Sequence, residues 1–224
     1  MQLKKFNYRT AVPEDAEAII EYLKGSFCKD EPVTKTLKMT WDEIREIYTN
    51  ITLRCLEYPF STIVTTDSGE VAAVLLNSVS RRTDLFNKMD FDESNNNMRE
   101  EIELFERMVK KCHAKFWETY ASRNIDAVLH REVSSVAKRF QRNGIATRML
   151  KMNMDPEKLD EYMIGGVVSE TTSFANQTLL AKQGFKALHE MPYSSLIDSQ
   201  GNHILKFTDG AKGLRLNFKS LEQI

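Results

Sequence analysis

Polar and apolar positions alternate over residues 4–11, where Phe6, Tyr8 and Thr10 oppose Asn7, Arg9 and Ala11. That period of two predicts an opening strand. Pro13 then starts a helix, with Glu14 and Asp15 in its first turn and Ala16, Ile19, Ile20, Leu23 and Phe27 as its buried stripe. Pro32 closes the helical tendency and leaves Asp30 and Glu31 in a constrained turn. Residues 40–57 predict a second helix, capped by Thr40 with Glu43 three positions on, with Trp41, Ile44, Ile47, Tyr48, Ile51 and Leu53 on its stripe. Residues 60–66 and 70–78 read as a hairpin around Asp67-Ser68-Gly69, and the polar run 80–97 as a loop. A long amphipathic helix follows from Met98 to Ala121, with Ile102, Phe105, Val109, Cys112, Phe116 and Tyr120 on one side. His113 lies near this stripe, where a surface or hydrogen-bonding role outweighs catalysis.

The second half starts with strand spacing at 128–136, followed by a helix from Gly144 with Ile145, Met149 and Leu150 on its apolar side. Residues 151–160 read as a polar connector and 161–168 as a strand, whose Gly165 and Gly166 suggest a bulge or a close approach. A helix over 172–184 has a Thr/Ser cap and ends at Gly184. Strand-like runs in 185–194 and 203–219 close the chain as a terminal hairpin.

Composition narrows the class. A chain of 224 residues can bury a sizeable core as a single domain over 1–224. A net charge of −1 provides no broad field for nucleic acid or an anionic membrane. The first residues, MQLKKFNYRT, have no apolar core of a secretory signal, and no window is long enough and apolar enough to span a bilayer. Three widely spaced cysteines, Cys28, Cys55 and Cys112, suit reduced thiols in the cytoplasm, not a disulfide framework or a metal site. The expectation is a cytoplasmic monomer or homodimer without nucleic-acid, membrane or metal partners.

The chemistry concentrates in 128–150. A strand, the basic loop Gln141-Arg142-Asn143-Gly144 and the start of a helix suit an anion, since helix starts carry free N–H groups. Gly144 and Ala146 let a phosphate approach the main chain, and Arg139 and Arg142 add positive charge. The same pattern also fits an ordinary strand–loop–helix in a core. The run Val136-Ala-Lys-Arg-Phe-Gln-Arg-Asn-Gly144-Ile-Ala146 resembles the acyl-CoA signature of the GNAT superfamily of N-acetyltransferases at each of its defined positions. There is no dinucleotide or P-loop glycine motif.

The resemblance implies an α/β (α+β) fold: a mixed, mostly antiparallel central sheet of about seven strands, flanked by helices and splayed at the acyl-CoA cleft. It implies acetyl-CoA as co-substrate and no metal. The backbone of Val136 would pair with the pantetheine arm. Gln141, Arg142, Asn143, Gly144, Ile145, Ala146 and Thr147 would hold the pyrophosphate, with Ser134 and Ser173 also facing the cofactor.

Phe27-Cys-Lys-Asp30-Glu31-Pro32, after an opening strand and a Pro-Glu-Asp helix start, resembles the insect-type arylalkylamine N-acetyltransferases. In that branch the glutamate before the proline is the base, so Glu31 carries that role here; a solvated helix end is the bland alternative. Val33 stands where Leu is usual and Thr34 where Asn or Ser is usual. Leu180 replaces the tyrosine that often serves as general acid, leaving the hydroxyls of Thr172 and Ser173 as candidates and Asn176 as a hydrogen-bond donor. His130, Glu132 and Ser134 share a strand face and form a second candidate proton route, with solvent exposure or core hydrogen bonding as its alternative.

Three functions follow in order of preference: acetyl transfer to a small arylalkylamine (dopamine, serotonin, tryptamine or octopamine type), transfer to a polyamine or protein amine, and acyl-CoA binding without catalysis.

Overall fold

The opening alternation forms β1 (Phe6–Thr10), and Pro13–Asp15 begins a continuous helical stretch through α1 (Ala16–Tyr22) and a π-turn (Leu23–Phe27). This computed structural model describes residues 5–84, 98–122, 124–205 and 209–221. Arg9 fixes the helix entry by donating to both oxygens of the buried Asp15, each at 2.6 Å. The chain divides into two compact units: Met1–Asp30, Thr40–Val79 and His130–Tyr162 in the first; Glu31–Met39, Ser80–Leu129 and Met163–Ile224 in the second.

With α2 (Pro32–Thr36) in the second unit, the first unit continues with α3 (Trp41–Leu56), which has the expected capping box, Thr40 with Glu43. Its inward face is Ile44, Thr52, Cys55 and Leu56, whereas Leu53, expected on the stripe, is 51% exposed. The buried stripe passes through Thr52, not Leu53. β2 (Thr62–Thr66) and β3 (Val71–Arg81) are the expected hairpin, with Gly69 at φ +84 in its turn. β4 (Ala127–Val136), whose second half belongs to this unit, leads to α5 (Ile145–Met149). The connector expected at 151–160 contains a helix, α6 (Pro156–Glu161); Asp155 caps it by accepting from Lys158 N–H at 3.1 Å, and Pro156 presets its first turn. The strand order here is β1-β2-β3-β4, antiparallel at β1–β2 and β2–β3.

In the second unit Pro32 does not merely end a helix. It starts α2 (Pro32–Thr36), with Glu31 as the cap. α4 (Glu100–Lys115) continues into a π-turn (Phe116–Tyr120). Met108, Cys112, Phe116 and Trp117 of this stretch form one core with Val128, Val168, Leu214 and Leu216. The loop expected at 80–97 lies, from residue 85 onward, outside the described residues. β5 (Ile164–Thr171) starts three residues later than its pattern suggests, and α7 (Phe174–Lys182), β6 (Lys186–Pro192) and β7 (Gly213–Ser220) follow. Of the expected HILKF strand, His203 makes an isolated bridge to Ile197, and Lys206 and Phe207 lie outside the described residues. The order is β4-β5-β7-β6, with β7 antiparallel to both β5 and β6. The seven strands make the expected mostly antiparallel sheet with flanking helices.

The close approach suspected at the paired glycines falls on Gly166, where an added Cβ would lie 2.4 Å from the Phe218 ring and 2.9 Å from Lys219 O. Gly166→Ala is expected to destabilise the protein by about 1–3 kcal/mol, the scale of overpacking, read as a lower urea midpoint. An unchanged midpoint would show that the Phe218 ring moves aside freely.

Candidate active site

In the first unit the expected cofactor run folds as a strand end, an exposed loop and a helix start. Phe140 anchors the loop: it is buried and meets Phe6 edge to face at 5.6 Å. Asn143 Nδ2 donates to Phe140 O at 3.0 Å and Gln141 O at 3.1 Å, closing the turn. Gln141 Nε2 donates to Val136 O at 3.0 Å, so a ligand pairing with that carbonyl would share or displace the amide. Gly144 sits at φ +74, where side-chain-bearing residues are strained, and the space its Cβ would take is open. Arg142 also lies at positive φ. Ile145 is buried, so its backbone alone is available to a ligand, while Ala146 and Thr147 are half-buried. A groove of about 590 Å³ in this unit is lined by Tyr22, Ser26, Lys29, Ala137, Lys138 and Arg139, among others. Burial pushes the Tyr22 phenol up to about 12, and its OH is 3.0 Å from Ser135 Oγ. Lys29, Lys138 and the open turn at Gly144 on the neighbouring loop suit a phosphorylated ligand, whereas Arg139 is paired with Glu70, and Glu21 and Asp30 also line the groove. Ser134 is half-buried on β4.

Glu132 is placed differently from a solvated base. It pairs with Arg54, whose Nε donates at 3.0 Å and whose second nitrogen also contacts the carboxylate; Cys55 Sγ is 3.6 Å away and His130 Nδ1 is 4.0 Å away. Burial pushes the carboxyl up, but His130, Arg54 and Ser78 outweigh it and hold it below the ordinary carboxylate range. A carboxylate held low is a weak proton acceptor.

Arg54→Met would leave this charge buried and less compensated, at a cost of about 1–3 kcal/mol after allowing for the exposure of Arg54. Because the folded value is depressed, Glu132's contribution is full above the ordinary carboxylate pKa and lost as pH falls through the lower native value. Urea unfolding should therefore show the gap between the two proteins at pH 7 and a smaller gap in strong acid. An equal gap at both pH values would mean that Arg54 acts through packing.

In the second unit the chain brings two expected residues together across 141 positions. Thr172 Oγ1 donates to Glu31 Oε1 at 2.8 Å. Glu31 Oε2 accepts from Thr34 N–H at 2.6 Å and from Thr34 Oγ1 at 2.9 Å. Thr34, where the arylalkylamine pattern has Asn or Ser, therefore holds one oxygen and Thr172 the other. Tyr193, which the sequence did not single out, is buried and donates from its OH to Thr172 O at 2.7 Å. Burial and then the charge of Glu31, followed by Asp209 and Glu190, push its phenol up. A phenol kept protonated is a fixed donor, so Tyr193 sets the position of Thr172. Ser173 caps α7, accepting from Asn176 N–H at 3.2 Å, and Leu180 is buried. Glu31 and Thr172 thus sit in one short network, Ser173 is the next residue along the chain with its hydroxyl turned to the cap of α7, and His130 and Glu132 belong with Arg54.

No protein-family model matches the chain, and no curated protein sequence matches it. Solved structures do. Arylalkylamine N-acetyltransferase 2 from Aedes aegypti superposes with a TM-score of 0.78 at 19% identity, covering 97% of this chain and 99% of that one. Polyamine N-acetyltransferase of Drosophila melanogaster, which forms N-acetylagmatine, gives 0.77 at 11% identity, covering 97% and 100%. A GNAT-family acetyltransferase from Streptococcus pneumoniae gives 0.52 at 14% identity, covering 97% and 100%. The chain therefore has the fold of the GNAT N-acetyltransferases and is similar in structure to the insect arylalkylamine enzymes.

Proposed function

We propose that the chain is an acetyl-CoA-dependent N-acetyltransferase, one GNAT domain over its whole length, acting in the cytoplasm on the primary amine of a small arylalkylamine. The observation that carries the reading is Glu31: the acid of the Asp-Glu-Pro element has each oxygen fixed by a threonine hydroxyl, and the hydroxyl of Thr172 is one of them. The Val136–Ala146 run, with Gly144 in an open left-handed turn, supports the cofactor half of the proposal.

Val136 and the loop Gln141–Thr147 would hold the cofactor, with Ser134 and Ser173 as further contacts. Bound acetyl-CoA supplies an activated acetyl carbonyl. An arylalkylamine is protonated at neutral pH, with a pKa near ~10, so the protein must first remove a proton. Glu31 takes it, directly or through a water, while Thr34 and Thr172 keep the carboxylate oriented. Thr172 and Ser173 offer hydroxyls for returning a proton to the departing thiolate, the task left open by Leu180. His130 and Glu132 remain the reserve route.

Other carboxylates near Tyr193 are engaged: Glu190 by Arg215 at 2.7 Å, and Asp209 by Phe174 N–H at 3.0 Å and Ala211 N–H at 2.9 Å. This favours a singly charged amine over a polyamine, which needs acids for its second cation. Thiol release from acetyl-CoA, followed with DTNB, tests the reading. Dopamine, serotonin, tryptamine and octopamine should each drive release in preference to agmatine and spermidine. Release by the polyamines alone would transfer the function to that class, and release by no amine would leave acyl-CoA binding without catalysis.

A further inference from the structure

A second set of reactive side chains lies in the second unit, apart from Glu31 and its threonines. Ser80 is near the end of β3, His113 on α4 and Glu170 on β5. His113 Nε2 is 2.9 Å from Ser80 Oγ, and His113 Nδ1 is 2.9 Å from Glu170 Oε1. With Nδ1–H donating to the carboxylate, Nε2 is left to accept the serine proton. Trp117 Nε1–H donates to Ser80 Oγ at 3.1 Å, occupying one lone pair and steadying negative charge that develops there. The Glu170 side chain is 4% exposed and that of His113 20%, so the acid is enclosed while the imidazole edge can be reached. The charge of Glu170 is felt nearby, helping burial, the larger cause, to push the Cys112 thiol up to about 12.

Nucleophile, base and orienting acid stand in the order of a serine relay, at hydrogen-bond distance in both links. A network built solely to satisfy the Trp117 indole would need no carboxylate behind the imidazole.

We propose that Ser80, His113 and Glu170 form a hydrolytic relay for small activated acyl esters or thioesters. As Ser80 Oγ bonds to the acyl carbon, its proton moves to His113 Nε2. The bond from that carbon to the leaving oxygen or sulfur breaks, and the leaving group takes the proton from Nε2. A water then gives a proton to Nε2 as its oxygen bonds to the acyl carbon. The bond to Ser80 Oγ breaks, and Oγ recovers the proton. The products are a carboxylic acid and an alcohol or thiol, with no change in oxidation state. Glu170 orients the imidazole and stabilises it when charged, without taking the proton.

The test uses the full chain with no amine present, so its outcome is separate from that of the acetyl-transfer reading. p-Nitrophenyl acetate serves as the acyl probe and a fluorophosphonate as the covalent one, with intact mass and peptide mapping as readouts. Folded wild-type protein should gain one phosphonyl group on Ser80 and hydrolyse the ester. Ser80→Ala and His113→Gln should lower hydrolysis by about 100-fold or more, and Glu170→Gln should lower it as well. Labelling of the wild type needs no variant to fold, so it decides the matter alone. Phosphonylation elsewhere or nowhere, or full hydrolysis in folded Ser80→Ala, would overturn the relay.

Discussion

Glu31→Gln is expected to lower kcat by about 10²–10⁴, the scale of losing a general base, with acetyl-CoA KM near the wild-type value. The argument rests on geometry. Glu31 follows a helical stretch that ends at Asp30 and caps the next, whose first residue, Pro32, presets its opening turn. Its oxygens are held by Thr34 and Thr172, so the lone pairs that remain are aimed by the fold. Glutamine keeps the length and one acceptor oxygen but cannot take a proton. The defect should shrink as pH rises, because solution then supplies the free amine. The side chain also caps α2, so a cost of about 0.5–2 kcal/mol in stability is expected and is read separately by urea unfolding. A variant with full kcat across pH 6–9 would move the base to His130 or Glu132.

Substitution of Gly144 is expected to raise acetyl-CoA KM at least about tenfold, with little change in the amine KM. Two variants separate the causes. Gly144→Val places a branched side chain at φ +74, where it is strained, and fills the open side of the loop. Gly144→Asn fills the same space with a residue that tolerates the left-handed region. If the phosphates approach the main chain here, both variants lose affinity, and the Asn variant does so with nearly native stability. Unchanged KM in either folded variant would remove the pyrophosphate from this loop.

Much of the fold can be read from the sequence because its signals are local. Thr40 and Glu43 lie three residues apart and form the expected cap, and Gly69 turns the expected hairpin. Ser173 begins its helix as its residue type suggests. The cofactor run is equally local, eleven positions from Val136 to Ala146. The misses have physical reasons. Asp155-Pro156 is a helix-start signal, but the polar residues after it hid a short helix with one buried side chain, Leu159. Gly165 and Gly166 blur the start of β5, and their reasons lie far along the chain: Ile125 against Gly165, and against Gly166 the ring of Phe218, on a strand more than fifty residues away.

The candidate site was legible as single residues, not as a network. Nothing near Glu31 in the sequence announces Thr172 as its partner, and Tyr193 reads as one more aromatic in a strand-like tail. His113 had no visible partner, because Ser80 and Glu170 come from other elements. Glu132 lies on β4 as its spacing predicts, but nothing in the sequence announces Arg54 against it.

The central claim is transfer of an acetyl group to an arylalkylamine nitrogen. Its most direct test is incubation of the purified chain with isotope-labelled acetyl-CoA and dopamine, with mass spectrometry of the small molecules. The account predicts a product carrying one labelled acetyl group on nitrogen, formed in step with free CoA and greatly reduced in Glu31→Gln. Free CoA without the labelled amide, or a labelled amide formed equally well by Glu31→Gln, would contradict it.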